Sequence, residues 1–123
     1  PRRSRPTRPE TIMTDQNTKW RQAMIDCLTV LVREQAGSSC PVVDYELRNS
    51  LSGDPDEMRV WFICRTKPEK EEFSRTERSR SISVFKKKMI AAGFSDSAVA
   101  SVEIKITSRD EIEKTGGSSY FFR

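Results

Sequence analysis

The chain has 123 residues, and its 22 Lys and Arg residues outnumber 18 Asp and Glu residues, which gives a formal net charge of +4. This length is typical of one domain, and a hydrophobic content of 35% is enough for one modest core. The sequence contains no histidine, which excludes a Ser-His-Asp triad, a histidine general base and any zinc site that needs imidazole. No apolar run reaches about 18 residues, so we expect no transmembrane helix.

Basic charge is concentrated at the start of the sequence. Residues 1–12 contain four Arg, three Pro and a single Glu, whereas the rest of the chain is close to neutral. Because this composition disfavours regular structure, we predict a disordered basic tail over residues 1–14 and one α+β domain over residues 15–123. Two interpretations of the tail remain open. It comes from an expression vector or a misassigned start, with Met13 as the natural first residue, or it is a native arm that binds phosphates or a partner.

Three cysteines stand far apart in the sequence, and no Cys-x-x-Cys motif is present. This spacing does not match a zinc site or thioredoxin-type chemistry, and an odd number of thiols is typical of a reducing cytosol. Cys27 and Cys64 are predicted to be buried on apolar faces, whereas Cys40, which precedes Pro41 in a loop, is predicted to be the most exposed. We therefore expect a cytoplasmic protein that binds no metal and no cofactor.

The first predicted element is a long amphipathic helix over residues 17–36. Apolar residues recur at the i, i+4, i+7, i+8 and i+11 positions of one helical face. These residues are Trp20, Met24, Cys27, Leu28 and Leu31. Gly37 is predicted to end the helix as a left-handed C′ residue. Because this apolar stripe is the largest in the sequence, we expect the helix to dominate the core.

Two strands are predicted to follow and to pair as an antiparallel hairpin. Val43, Tyr45 and Leu47 alternate with polar residues, as in a half-buried strand. Residues 58–65 are rich in strand-forming side chains, and a turn cluster at residues 52–56 separates the two strands.

A charged stretch leads to a second predicted helix. Residues 66–80 are expected to begin as a loop, because Phe73 is the only large apolar residue among them. The helix is predicted over residues 76–92 and ends at Gly93, with Phe94 making the hydrophobic contact of a Schellman motif.

The remaining sequence is predicted to contain two short strands. Alternation of apolar and polar residues indicates a third strand over residues 102–107, and a capping-box pattern indicates a helical turn over residues 109–114. Gly116 and Gly117 break this turn, and the aromatic residues that follow predict a final strand over residues 118–123.

The predicted order α-β-β-α-β-β indicates an α+β fold. We expect a two-layer sandwich in which two helices cover one face of a mainly antiparallel sheet of three or four strands. This order resembles that of type II KH domains and other small α+β RNA-binding domains. The resemblance covers the order of the elements alone, because the Gly-x-x-Gly loop of KH domains is absent. Small α+β folds host unrelated functions, so the resemblance does not decide the function.

The second predicted strand has one apolar face, formed by the even-numbered residues from 58 to 64, and one mixed face. If the helices cover the apolar face, the mixed face stays open. It carries Arg59, Trp61, Ile63 and Arg65, joined by Lys105 of the third strand. Aromatic and Arg residues on a sheet face are typical of a protein–protein interface, and also of a stacking platform for single-stranded nucleic acid. Two further alternatives remain. The mixed face binds a small ligand, or it is covered by the tail or by residues 66–78.

Positive charge is also concentrated on the second predicted helix. Residues 65–88 hold nine basic and four acidic residues, whereas residues 41–58 carry a net charge of −4. Arg80, Lys87 and Lys88 fall within about 100° of one another around the helix and form a basic ridge. The ridge is expected either to bind phosphates or to act as a solubilising helix face.

The sequence contains no P-loop, no dinucleotide-binding fingerprint and no G-x-S-x-G motif. We therefore predict a small non-enzymatic binding or adaptor domain, of bacterial origin, that acts through protein–protein contacts on the open sheet face. Its expected partner is a second copy of the chain or another protein, and not a membrane. The alternative is a single-stranded nucleic-acid-binding module that uses Arg59, Trp61 and Arg65 together with the basic ridge.

Overall fold

A computed structural model describes residues 9–48 and 58–122. The helices and strands in chain order are α1 (Pro9–Gln35), β1 (Val42–Arg48), β2 (Arg59–Cys64), α2 (Lys67–Thr76), α3 (Arg78–Ala91), α4 (Asp96–Ser101), β3 (Glu103–Ser108), α5 (Arg109–Lys114) and α6 (Ser118–Phe121). Helix α1 begins eight residues before its predicted start, so it includes residues 9–14 of the predicted tail. Residues 1–8 of that tail and the predicted turn at residues 52–56 lie outside the described residues.

The fold is α+β, with a three-stranded mixed sheet in the order β1-β2-β3. Strands β1 and β2 pair antiparallel, as predicted for the hairpin, whereas β2 and β3 pair parallel. The prediction of a mainly antiparallel sheet is therefore wrong for one of the two strand pairs. The physical reason is the connection, because α2, α3 and α4 carry the chain from the end of β2 back to the opposite end of the sheet before β3 begins.

The segment that was predicted as a charged loop forms helix α2. Thr66 caps its start, since the Thr66 hydroxyl accepts a hydrogen bond from the backbone N–H of Glu69 at 3.3 Å, and Pro68 occupies an early helical position where its missing N–H is harmless. Phe73 is fully buried and attaches α2 to the core. Helix α3 follows after Glu77, so the predicted second helix is the second of two consecutive helices.

The core lies between one face of the sheet and helices α1, α2 and α3. Met24, Leu28 and Leu31 of α1 are buried there, as the apolar stripe predicted. From the sheet, Phe62 makes edge-to-face contacts with Phe85 of α3 at a centroid distance of 5.6 Å and with Phe73 at 6.5 Å. We refer to this side of the sheet as the inner face.

The end of α3 is a Schellman motif, as predicted. Gly93 has a positive φ of 100°. The backbone N–H of Phe94 donates to the carbonyl of Met89 at 3.1 Å, and that of Gly93 donates to Ile90 at 3.0 Å. Phe94 then packs against Trp20 of α1, with ring centroids 4.8 Å apart. Gly37, in contrast, does not adopt a positive φ, so its predicted left-handed conformation is wrong.

The segment that was predicted as a final strand instead contains helix α6. Helix α5 ends in a second Schellman motif, in which the N–H of Gly117 donates to the carbonyl of Ile112 at 3.0 Å and the N–H of Gly116 donates to that of Glu113 at 3.0 Å. Both glycines have positive φ values, 109° and 102°. This turn brings α6 onto the side of the sheet opposite α1 and α3. The sheet is therefore covered in part on both faces.

Candidate interaction surfaces

The strand register defines the sheet face that points away from the core, which we call the outer face. Directly paired residues of adjacent strands point to the same side of a sheet. The outer face consists of three cross-strand rows: Arg48, Arg59 and Glu103; Glu46, Trp61 and Lys105; and Asp44, Ile63 and Thr107. A register shift between Val42 and Asp44 places Val42 opposite Cys64, on the inner face.

An aromatic cluster covers part of the outer face. It consists of Trp61, Ile63, Ile112, Phe121 and Phe122. The ring centroid of Trp61 lies 5.2 Å from that of Phe121 and 5.4 Å from that of Phe122, both in edge contacts. Ile63 is only 4% exposed, whereas Trp61 is half-buried.

The expectation of a fully open sheet face is therefore wrong at Ile63. The cover comes from α5 and α6 rather than from residues 66–78, because the glycine turn at Gly116 and Gly117 directs Phe121 and Phe122 back onto the sheet. Trp61 is the member of the predicted interaction face that combines an aromatic surface with partial exposure.

Charged side chains of both signs surround Trp61. Arg59 pairs with Glu103 at 2.7 Å, and this hydrogen bond lowers the pKa of the Glu103 carboxyl below its ordinary value. The ammonium of Lys105 also pairs with Glu103, at 3.5 Å, and lies 5.7 Å from the centroid of the Trp61 ring. This distance is within the range of cation–π attraction.

A second cation lies on the other side of the cluster. Arg48 pairs with Glu46 at 3.2 Å, and its guanidinium carbon lies 5.8 Å from the centroid of the Phe122 ring. Together with Arg59 and Lys105, it makes the outer face a mixed surface of paired charges around an aromatic centre.

Arg65, the remaining predicted member of the interaction face, is bound to α2. Its guanidinium makes two hydrogen bonds to the Glu69 carboxylate, at 2.9 and 3.0 Å. These bonds raise the pKa of Arg65 above its ordinary value. Its charge is therefore neutralised locally by Glu69.

The predicted basic ridge lies on α3, whose buried residues Phe85 and Met89 face the core. Arg80 is exposed and pairs with Glu77, and Lys87 is exposed. Lys88 instead points toward α1, where its ammonium pairs with Glu34 at 3.1 Å. The structure therefore keeps Arg80 and Lys87 together as a ridge and separates Lys88 from them.

The ridge and Trp61 lie on opposite sides of the sheet, since α3 packs on the inner face. The predicted nucleic-acid alternative used both sets as one site, and the fold does not bring them together. Two exposed apolar residues also lie on α3: Val84 is 36% exposed and Ile90 is 54% exposed. A helical wheel of residues 78–91 places both of them beside Lys87.

A polar cluster joins the starts of α2 and α5. The buried hydroxyl of Ser108 lies within hydrogen-bond distance of two carboxylates, those of Asp110 and Glu111, and its single proton can be donated to only one of them at a time. Lys70 pairs with Glu111 at 3.0 Å, and the backbone N–H of Lys67 donates to Asp110 at 3.0 Å. Each of these bonds caps or ties a helix start, so the cluster has a structural role.

These contacts lower the pKa of both carboxyls. For Asp110 the main cause is the hydrogen bond from Ser108, followed by that from the backbone of Lys67. For Glu111, burial alone would raise the pKa, but the hydrogen bonds from Ser108 and Lys70 outweigh it. Both carboxyls are therefore ionised in neutral solution.

All three cysteines are buried and free. Cys40 is 3% exposed, so its prediction as the most accessible thiol is wrong; it packs into the core together with Val42. Burial, reinforced by the nearby Cys40, raises the pKa of Cys64 to about 12. Burial also raises the pKa of Cys27. These thiols behave as small apolar side chains.

Open clefts with charged lining residues surround α5. One, of about 230 Å³, lies between β1 and α5, where Arg109 reaches Asp44 at 3.6 Å. Among residues 9–48 and 58–122, no group of three or more acidic or cysteine side chains could hold a metal ion. No helix in the same ranges is long and apolar enough to cross a membrane.

Comparisons with protein-family models, with curated proteins and with solved structures each returned no match.

Proposed function

We propose that the chain is a small non-enzymatic binding domain that acts through protein–protein contacts on the outer face of its sheet. The observation that carries this proposal is the half-buried Trp61, which is in edge contact with Phe121 and Phe122. Tryptophan side chains in partly exposed aromatic clusters are among the residues that contribute most to protein interfaces.

The charges around Trp61 support a protein partner. Arg59 and Lys105 share the carboxylate of Glu103, and Arg48 pairs with Glu46. The surface is therefore nearly neutral, with an aromatic centre and a charged rim. This is the usual anatomy of a protein–protein interface.

A second copy of the chain fits this surface. In a two-fold dimer the same patch meets itself, so each basic group of one copy can meet an acidic group of the other. A face of one charge sign would repel its own copy, whereas a face that carries both Arg59 and Glu103 can exchange ion pairs across the axis. We therefore take a homodimer as the proposed assembly.

Sedimentation velocity tests the proposal. Wild type is expected to dimerise in the micromolar range, and Trp61→Glu is expected to be monomeric because it places a charge at the centre of the interface. Val84→Glu is the matched control, since it makes an apolar residue acidic on the opposite side of the sheet; it should dimerise like wild type. Arg59→Glu leaves the aromatic cluster intact and should also weaken the dimer, which separates a lost interface from a lost fold.

A wild type that stays monomeric at high micromolar concentration would contradict the homodimer. Dimerisation that is equal in wild type, Trp61→Glu and Arg59→Glu would move the interface away from the outer face.

A further inference from the structure

The outward side of α3 is the most basic surface among the described helices. Between Arg78 and Ala91 the helix contains five basic residues and no acidic one. Its buried side, formed by Ser81, Phe85 and Met89, packs against the core. Arg80, Ser83 and Lys87 are exposed on the other side. We propose that this side of α3 is a second binding surface, and that it takes the phosphate backbone of a nucleic acid.

The cations of α3 are available for a ligand. In the described part of the chain, Arg78, Lys86 and Lys87 take part in no ion pair. Within the described ranges Arg80 pairs only with Glu77, three residues earlier, and its side chain is 75% exposed. An ion pair this exposed contributes little to stability, so a phosphate can displace Glu77 at small cost.

The spacing of these groups suits a strand that runs along the helix. Arg80 and Lys87 are seven residues apart, which places them on the same side of α3 and about 10 Å apart along its axis. Ser83 lies between them and is exposed. Two cations with a hydroxyl between them are the side chains that proteins use for contacts to phosphate oxygens.

The aliphatic residues on this side do not favour a membrane or a protein partner. Val84 and Ile90 are exposed, but Lys87 lies between them along the helix. Isolated apolar side chains are normal on protein surfaces, and a helix that binds a membrane surface needs a continuous apolar face. Charge therefore dominates the chemistry of this surface, and a polyanion is its complement.

This second surface is independent of the proposed protein interface. Helix α3 packs on the inner face, whereas Trp61 lies on the outer face. A protein partner and a nucleic acid could therefore be held at the same time, and the domain would link them.

Fluorescence anisotropy tests the inference with labelled oligothymidylate of about 16 nucleotides and with a duplex of the same length. If three or four phosphates are contacted, the logarithm of the association constant should fall with the logarithm of salt concentration with a slope of about −2 to −3 for the single strand. Arg80→Gln with Lys87→Gln should reduce the magnitude of that slope by about 1.4, since two contacts are lost.

The matched control is Arg109→Gln with Lys114→Gln, which removes the same net charge from exposed positions of α5 on the other side of the sheet and should leave the slope unchanged. Trp61→Glu should also bind like wild type, so a failed homodimer and a failed nucleic-acid surface are distinguishable. Tighter binding of either the single strand or the duplex identifies the form that is recognised.

Three results would overturn the inference. The first is no measurable binding at about 50 mM salt, where contacts to phosphates are strong. The second is an equal loss of affinity in the two double variants, which would show that binding depends on net charge alone. The third is binding that is unchanged in Arg80→Gln with Lys87→Gln but disappears when residues 1–8 are deleted, which would assign the affinity to the Arg-rich segment.

Discussion

The carboxylate of Asp110 accepts a hydrogen bond from the backbone N–H of Lys67 at 3.0 Å, so the second residue of α5 caps the first turn of α2. The first N–H groups of a helix have no partner within the helix, and Lys67 carries one of them. A parallel link runs from Lys70 to Glu111 at 3.0 Å. The two helices lie on different sides of the sheet's end, and these bonds hold one to the other.

Asp110→Ala should therefore destabilise the chain. The substitution leaves the N–H of Lys67 without its acceptor and removes a negative charge from the positive end of two helices. Urea unfolding followed by circular dichroism should show a lower midpoint than wild type. Glu113→Ala, which removes an exposed carboxylate from the same helix, is the matched control and should leave the midpoint near that of wild type. Equal midpoints for the two variants would contradict the capping role.

The polar cluster predicts how stability depends on pH. Asp110 and Glu111 have lower pKa values in the folded chain than their ordinary values of 3.8 and 4.5. Their stabilising contribution is thus fully present above these ordinary values and is lost as the pH falls through the lowered values. Ser108→Ala removes the hydroxyl that both carboxylates share. We expect the free-energy difference between wild type and Ser108→Ala to be largest near neutral pH and to shrink below about pH 4.

Urea melts of both proteins between about pH 7 and pH 2.5 measure this difference. Ser108→Thr, which keeps the hydroxyl, is the control and should retain the pH dependence of wild type. A difference between wild type and Ser108→Ala that stays constant over the whole range would show that the hydroxyl acts by packing alone.

We expect truncation of Leu28 to cause the largest loss of stability in the core. This residue is completely buried between α1 and the sheet, so Leu28→Ala should lower the free energy of unfolding by about 2–5 kcal/mol. Val84 lies on the exposed side of α3, and Val84→Ala should cost less than about 1 kcal/mol. Denaturant melts compare the two. Small and equal losses would mean that α1 is peripheral to the core.

The thiols should be unreactive in the native chain. Cys27, Cys40 and Cys64 are all buried, and the pKa of Cys64 is raised to about 12 because of burial. The thiolate is the reactive form, so a chromogenic disulfide reagent near pH 8 should modify none of the three at an appreciable rate. All three should react at once in denaturant. Rapid modification of one thiol per native chain would contradict the burial of all three cysteines.

Periodicity was sufficient to predict helix α1 and the three strands, which supply much of the core, but not α2, which contributes Phe73. Helix α1 and the three strands repeat their apolar residues at the period of their own geometry, and Leu28 and Phe62 are buried accordingly. The register also places Trp61 next to Lys105 on one face, as alternation along the strands predicted. These features depend on the spacing of apolar residues along each element, and this spacing can be seen in a single sequence.

The direction of β3 could not be predicted in the same way, because it depends on what lies between the strands. Helix α2 was missed since its residues are almost all charged, although Thr66 and Glu69 match the spacing of a capping box and Pro68 favours a helix start. The single helix that was predicted between β2 and β3 is already a crossover long enough for parallel pairing, so the sequence was compatible with either direction of β3.

The cover of the outer face depends on tertiary contacts. Aromatic residues favour strands when nothing else is known, so Phe121 and Phe122 were assigned to one. Their packing against Trp61, reached through the positive φ values of Gly116 and Gly117, stabilises a short helix instead. The pair of glycines signalled a turn, but not the surface toward which it would direct the chain.

The position of this cover in the chain has a consequence for truncation. Residues 109–122 follow all three strands in the sequence, so a chain that ends before residue 109 has every residue of the sheet but lacks the side chains that cover Ile63 and Trp61. Such a chain would present an apolar strand face to water and to other copies of itself, which is the condition in which aggregation competes with folding. It should keep the strands and the helices of the inner face and should aggregate at a lower concentration than the longer chain does.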